Sequence, residues 1–357
     1  MIRVGITLGD MNGIGPEIII KALRDNRILQ DFIPIVYGST KVFSFYKKAL
    51  NDDEFVYQSC KNAGEAVQKK INIVNVWNEE LKFDVGKSTE LGGKYAFLAL
   101  EKATEDLAAN KIDVLVTAPI CKDGIIKAGF QFPGHTEYLA HLSGVDDALM
   151  LMINGDLRVA LATTHVALKD VASQLSKEKI FVKIKQLEAS LKKDFGLIRP
   201  KIAVFGLNPH AGENGKMGEE ETTIINPAIQ QAKSENILAF GPYPADSFFG
   251  SSNLKNFDAI LAMYHDQGLT AFKALAFEDG VNYTAGLPIV RTSPDHGTAF
   301  DIAGKNQASE QSLRSAIYAA IDIYKNRQFI KDINANPLAI SGGVQSKKPH
   351  HKKEEIE

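Results

Sequence analysis

Cysteine is scarce in this chain: 357 residues hold two, Cys60 and Cys121. They lie too far apart for a zinc cluster or a redox pair, so both read as ordinary thiols of a reducing compartment. Long apolar runs are missing too. No stretch approaches the ~20 apolar residues that a membrane-crossing helix needs. The opening MIRVGITLGD lacks the apolar core and cleavage site of an export signal and reads as a first strand, so a cytoplasmic location is expected. Charge of either sign is not in excess. Lys and Arg number 41 against 43 Asp and Glu, and a formal net charge of -2 provides no field to gather nucleic acid or an anionic membrane. Small molecules are the expected partners. Internal repeats and long linkers are also absent, and the one biased segment is SKKPHHKKEEIE. Residues 343–357 are therefore expected to form a charged, disordered tail in which His350 and His351 are solvated.

What is present is a regular alternation. Short β-rich apolar runs (4–8, 33–37, 71–76, 114–117, 159–163, 202–205 and 259–263) are separated by helix-like stretches such as 93–110 and 177–195, with apolar residues three and four apart. This pattern predicts an α/β fold with a mainly parallel sheet covered on both faces. The length suits two lobes sharing a cleft. In such sheets reactive groups collect beyond the carboxyl ends of strands, where the chain places His165 (TTHVAL), His210 (NPHAGENG) and His265 (YHDQG). Three imidazoles on equivalent strand exits make a candidate open metal site, with Asp266 and Glu213 beside them as possible orienting partners. Each ring alone would read as a hydrogen-bonded loop histidine.

A second group is basic and polar: Lys273 (LTAFKAL), Asn282 (GVNYT) and Arg291 (PIVRTSPDHG) carry donors that grip carboxylate or phosphate oxygens. In GHTEYLAHL, His135 adjoins Thr136, which is suited to capping a following helix whose N-terminus favours an anion. The N-terminal LGDMNGIGPEI leads from a strand through glycines into a helix opened by Pro16. The spacing of Gly9, Gly13 and Gly15 departs from the GxGxxG dinucleotide fingerprint, and no Asp or Glu follows the next strand to hold a ribose. These glycines are expected to allow close backbone approach instead. The loop SPDHGTAFDIAGK, with His296, Gly297 and Asp301, remains as the weak candidate for cofactor binding, where a plain structural turn is the competing reading.

Taken together and in order, GDMNGIGPEI, TAPICKDG, PGHTEYLA, NPHAGENG, GPYPADSFF, YHDQGL and GVNYTAGLPIVRTSPDHGTAFDIAG resemble the 4-hydroxythreonine-4-phosphate dehydrogenase family of vitamin B6 biosynthesis, from the first strand to about residue 335. The resemblance implies an isocitrate/isopropylmalate dehydrogenase-like fold of two α/β lobes with the active-site cleft between them. The lobes would divide as residues 1–130 plus 270–340 and residues 131–269, the latter carrying the dimer contact. It implies a homodimer, with NAD or NADP as hydride acceptor and a divalent ion, zinc, magnesium or cobalt. His165, His210 and His265 become the metal ligands, His265 reaching across from a second subunit. His135, Thr136, Lys273, Asn282 and Arg291 become substrate-binding groups, and Asp246 (PADSFF) and Lys273 the candidates for proton transfer. The implied reaction oxidises 4-phosphooxy-L-threonine and decarboxylates the product, giving 3-amino-2-oxopropyl phosphate. A paralogous dehydrogenase of a four-carbon sugar-acid 4-phosphate, threonate or erythronate phosphate, is the nearest alternative. A metal-dependent phosphate-ester hydrolase and a non-enzymatic binding protein are the more distant ones. Met11 and Asn12 stand where the family motif has Pro and Ala.

Overall fold

The computed structural model describes residues 1–80 and 82–336, so the expected charged tail lies outside the described residues. Twelve strands form one sheet: β1 (Ile2–Thr7), β2 (Phe32–Gly38), β3 (Tyr57–Cys60), β4 (Ile71–Asn75), β5 (Val114–Thr117), β6 (Leu149–Asn154), β7 (Leu157–Leu161), β8 (Lys201–Phe205), β9 (Leu238–Tyr243), β10 (Ala259–Ala262), β11 (Val281–Ala285) and β12 (Arg291–Pro294). Their order across the sheet is β3-β4-β2-β1-β5-β12-β11-β6-β7-β10-β8-β9. β2 and β5 are buried at every position and β1 over its last four residues, as strands covered on both faces must be.

The six strands from β3 to β12 run parallel to one another, as do β7, β10, β8 and β9. Between the two blocks the pairs β12–β11, β11–β6 and β6–β7 are antiparallel. Three reversals leave the blocks pointing in opposite directions. The sheet is mainly parallel, as expected, with an antiparallel seam between its two blocks, and the two halves share one continuous sheet.

Helices pack on this frame for local reasons. Glu90–Ala108 starts at Thr89, whose hydroxyl accepts from the Gly92 N–H at 2.9 Å. Lys177–Phe195 starts at Ser176, which caps Lys179 N–H, and stops at Gly196, which takes the left-handed conformation (φ 70) that releases the last turn. His265–Leu275 packs against β7 and β10, and the lobe boundary expected at 269/270 falls within this helix. Among the described residues no helix is long and apolar enough to cross a membrane.

Alternation along β11 and β12 sorts their side chains between two faces. On one face Thr292 donates to the Ala316 carbonyl of the Gln311–Ile333 helix. Tyr283 on the same face enters a buried knot. Its hydroxyl donates to Asp194 Oδ2 at 2.7 Å, Arg327 Nε reaches Asp194 Oδ1 at 2.6 Å, and Arg327 Nη2 donates back to the Tyr283 hydroxyl at 2.9 Å. The knot pins the seam to the Lys177–Phe195 and Gln311–Ile333 helices. The other face of the same strands carries Asn282, Thr284, Arg291 and Ser293, and there the cleft opens.

Candidate active site

A cavity of about 430 Å³ lies over the seam, lined by side chains from β5 (Thr117), β6 (Met150), β11 (Asn282) and β12 (Arg291, Ser293). The first turn of the His135–Leu142 helix adds His135, Thr136 and Glu137. Lys122, His165, Lys273, Asp295, His296 and Gly297 complete the wall. His135, Thr136, Lys273, Asn282 and Arg291, separated by as many as 156 residues (291 − 135), therefore share one space with His165 and with the loop residues His296 and Gly297. Asp301 does not join them. It is exposed and outside the lining, because the chain turns away through a left-handed Ala299 (φ 41).

Arg291 sets the character of this cavity. It is 3% exposed, and its described hydrogen bonds go to hydroxyls, Thr117 at 2.6 and 3.1 Å and Thr284 at 3.1 Å, with no carboxylate in contact. Burial pulls its pKa down to about 10, opposed by the more distant charge of Glu137. A buried guanidinium held this way is a cation awaiting an anion.

Other polar atoms around it are also unfilled. His135 Nε2, Asn282 Oδ1 and His296 Nε2 are buried without a hydrogen-bond partner in the protein. Burial and then the nearby Arg291 charge push the His135 pKa down, so this ring is neutral at physiological pH. Lys273 is held at the wall by Asp295, with Nζ to Oδ1 at 3.2 Å and Nζ to the backbone carbonyl at 3.3 Å. Burial raises the Asp295 pKa against the pull of Lys273, and burial lowers that of His296. Thr136 is not the expected cap. The helix begins at His135 with Gly134 before it, which places Thr136 in the first turn facing the cavity.

The histidine-bearing exits are those of β7, β10 and β8, adjacent in the sheet in that order. His165 and His265 approach to 6.2 Å between ring centroids. His265 Nδ1 lies 2.7 Å from Asp266 Oδ1, so Nε2 is the free nitrogen of that ring. His165 Nδ1 lies 3.8 Å from Glu137 Oε1. Glu213, the other expected orienting partner, pairs with Lys216 instead, since its loop turns its carboxylate outward. His210 lines a neighbouring cavity with Asp246, Tyr264 and Gln267. Among the described residues of one chain, no group of three or more His, Cys, Asp and Glu stands close enough to hold an ion. Donor chemistry suits a divalent metal, and a second copy of the chain would have to complete the set.

The loop that carries His210 is unusual. His210, Ala211, Gly212, Glu213 and Asn214 all have positive φ, from 41 to 77. Left-handed backbone costs roughly 1–2 kcal/mol per non-glycine residue, so the surroundings must hold it. Glu221, 2% exposed, accepts from the Leu207 and Asn208 N–H groups at 2.8 and 2.7 Å, and its other oxygen takes the Asn208 amide at 3.1 Å.

The N-terminal glycines serve packing. A side chain on Gly13 would meet the Thr298 carbonyl at 2.8 Å, and Gly9 (φ 72) runs against the Pro119 carbonyl. Asn12 ties this loop to Thr89 at 3.0 Å and to the Asp84 N–H at 3.0 Å, and the Met11 side chain is buried in the core, so both departures from the family motif are absorbed locally. Asp10 is wholly buried, Oδ2 has no partner, and burial raises its pKa to about 6.

Sequence reasoning passed over Thr117, Lys122, Glu137, Thr284 and Asp295. Thr117 and Lys122 lie within the quoted TAPICKDG and Glu137 within PGHTEYLA, yet their facing Arg291 and His165 emerges only from the fold. Thr284 had a signal in alternation with Asn282 two residues before it.

Comparison with known proteins agrees with this geometry. Residues 30–320 match the family described as pyridoxal phosphate biosynthetic protein PdxA. A 4-hydroxythreonine-4-phosphate dehydrogenase of Bacteroides thetaiotaomicron is 50% identical over 338 residues, 94% of this chain and 93% of the relative. A relative from Oceanobacillus iheyensis, whose name assigns it provisionally to D-threonate 4-phosphate, is 42% identical over 90% of this chain and 97% of its own. The crystal structure of a 4-hydroxythreonine-4-phosphate dehydrogenase from Klebsiella pneumoniae superposes with a TM-score of 0.79 at 36% identity, covering 90% of this chain and 98% of that one. The chain belongs to the pyridoxal phosphate biosynthetic protein PdxA family.

Proposed function

We propose that this protein is a dehydrogenase that oxidises 4-phosphooxy-L-threonine with NAD or NADP and decarboxylates the product to 3-amino-2-oxopropyl phosphate, acting in the cytoplasm as a homodimer. The observation that carries the reading is the buried Arg291 guanidinium with no carboxylate in contact, in a cavity of unfilled polar atoms. A small substrate bearing phosphate and carboxylate supplies what this cavity lacks.

Arg291, Lys273 and Asn282, with His135 and Thr136 opposite, grip the anionic groups and fix the carbon to be oxidised. Neutral His135 donates or accepts without adding charge. His165, His210 and His265 would hold a divalent ion, zinc, magnesium or cobalt, with one imidazole contributed by the second copy, as the resemblance implies for His265. When bound, such an ion supplies Lewis acidity toward the hydroxyl and the ketone derived from it. His296 and Gly297, on the cavity wall, would contact the nicotinamide cofactor, which supplies the hydride acceptor when bound. Lys273, held by Asp295 in this cavity, is placed to move the protons that leave oxygen and arrive at carbon, and Asp246, beside His210 in the neighbouring cavity, would share that work only where a second copy of the chain brings the two cavities together.

A second reading is favoured by one finding: the relative named for D-threonate 4-phosphate is as similar as several of those named for the amino substrate. Purified protein supplied with NAD and each phosphate in turn separates them by the growth of reduced-cofactor absorbance. A higher kcat/KM for the amino substrate is expected, a preference for threonate phosphate would select the alternative, and no reduction with either would sink both. His210→Ala should abolish turnover and metal retention with the fold intact. Full activity of that variant in metal-stripped buffer removes His210 from the ligand set.

A further inference from the structure

Beyond the side chains that would touch substrate or ion, a hydrogen-bonded strap crosses the three histidine-bearing strand exits. After β7, the Thr163 hydroxyl donates to the Met263 carbonyl at 2.8 Å, and the Thr163 N–H points at the same oxygen at 3.2 Å. Met263 follows β10. Its own N–H donates to Gln267 Oε1 at 2.7 Å. The other end of that carboxamide, Nε2, donates to the Gly206 carbonyl beyond β8 at 2.6 Å. The next two N–H groups, of Leu207 and Asn208, close on buried Glu221. The run visits the exits in the order β7, β10, β8, the order of the strands in the sheet.

We infer that Thr163 and Gln267 are positioning residues that set the spacing of the loops carrying His165, His265 and His210. The inference rests on the reading of those histidines as metal ligands. Thr163 precedes His165 by two residues, Gln267 follows His265 by two, and Gly206 precedes His210 by four. Chemistry restricts position 267. The Met263 N–H needs an acceptor and the Gly206 carbonyl needs a donor, and a carboxamide presents both from one rigid plane. A glutamate of the same shape keeps the first bond and turns lone pairs toward the Gly206 oxygen. No other described bond ties the Gly206 peptide oxygen, so releasing it removes one of the ties at the base of the left-handed run that begins at His210, leaving the Gly206 N–H on the Tyr243 carbonyl and the next two N–H groups on Glu221. Side chains that orient ligands typically change metal affinity 10–100-fold when removed.

The test uses the full-length protein, cobalt(II) as the probe, and two readouts: affinity by titration calorimetry and the visible absorption band of bound cobalt. Gln267→Glu and Thr163→Val should each weaken cobalt binding about 10–100-fold and alter the band, while Thr163→Ser, which keeps the hydroxyl, should bind like the parent. Urea unfolding of the metal-free variants separates positioning from plain stability, since a merely structural role moves the midpoint and leaves the affinity of the folded protein alone. If Gln267→Glu does not fold, the Thr163 pair decides. Parent-like affinity in Gln267→Glu and Thr163→Val, beside a parent that binds cobalt, overturns the strap alone. A parent that binds no cobalt overturns the metal reading and the strap with it.

Discussion

Replacing Arg291 by methionine should make the empty protein no less stable while crippling its hold on the substrate. The guanidinium is 3% exposed, and burial lowers its pKa from the ordinary arginine value to about 10. At 1.36 kcal/mol per unit, a drop of about 2.5 units means that keeping this charge in the folded state costs on the order of 3 kcal/mol. Methionine fills a similar volume and needs no ion. Against that gain, the Thr117 and Thr284 hydroxyls lose their partner, at about 1 kcal/mol each. The balance is a gain of about 1 kcal/mol without ligand, or about 1 °C in Tm for a chain of this size. Substrate binding moves the other way. Each charge-assisted bond from Arg to a phosphate or carboxylate is worth about 1.5–3 kcal/mol, so losing a bidentate pair raises KM by about 10²–10⁴-fold. The assay pairs ligand-free urea melts with steady-state kinetics on the same preparations. A variant destabilised by more than about 2 kcal/mol with unchanged KM would show that Arg291 is a structural pillar and refute the argument.

Two further perturbations follow from buried charge. Asp10 has a folded-state pKa raised from 3.8 to about 6, so its contribution to stability is fully present below about pH 4 and is lost as pH rises through 6. Asp10→Asn, which keeps the acceptor for the Asn12 N–H, should match the parent near pH 4 and exceed it by up to about 3 kcal/mol at pH 8; urea midpoints that differ equally at both pH values contradict this. Arg327→Met breaks the Tyr283–Asp194–Arg327 knot and strands a buried carboxylate, for a loss of about 3–5 kcal/mol. KM should rise as well, because Tyr283 lies between Asn282 and Thr284 on β11, and a variant with parent stability would show the knot to be dispensable.

The chain announced its apolar strands well and its polar ones poorly. Runs such as Val114–Thr117 and Ala259–Ala262 fall within expected segments because strands buried on both faces are apolar throughout. β12, with the sequence RTSP, carries no such mark and is a strand because β5 and β11 flank it. β6 and β7 did carry a signal that went unread: Gly155-Asp156 between two apolar runs is a two-residue hairpin turn, with Gly155 at φ 54, and it creates one of the three reversals. Reading strand exits as histidine carriers placed His165, His210 and His265 at the ends of three strands, and the sheet order then sets those strands side by side. What distance in sequence could not reveal is that His210 opens into a different cavity from His165, because its loop turns left-handed at that residue.

The backward-winding stretch from His210 to Asn214 has a consequence for how this protein can vary. Its side chains are largely open to water, a setting that ordinarily accepts almost any polar or small residue. Here handedness is the filter: glycine, asparagine and aspartate can enter, whereas valine, isoleucine and proline are barred by collisions within their own main chain. A surface patch is thereby as choosy as an interior one, and natural or laboratory drift in this loop is channelled into a narrow alphabet.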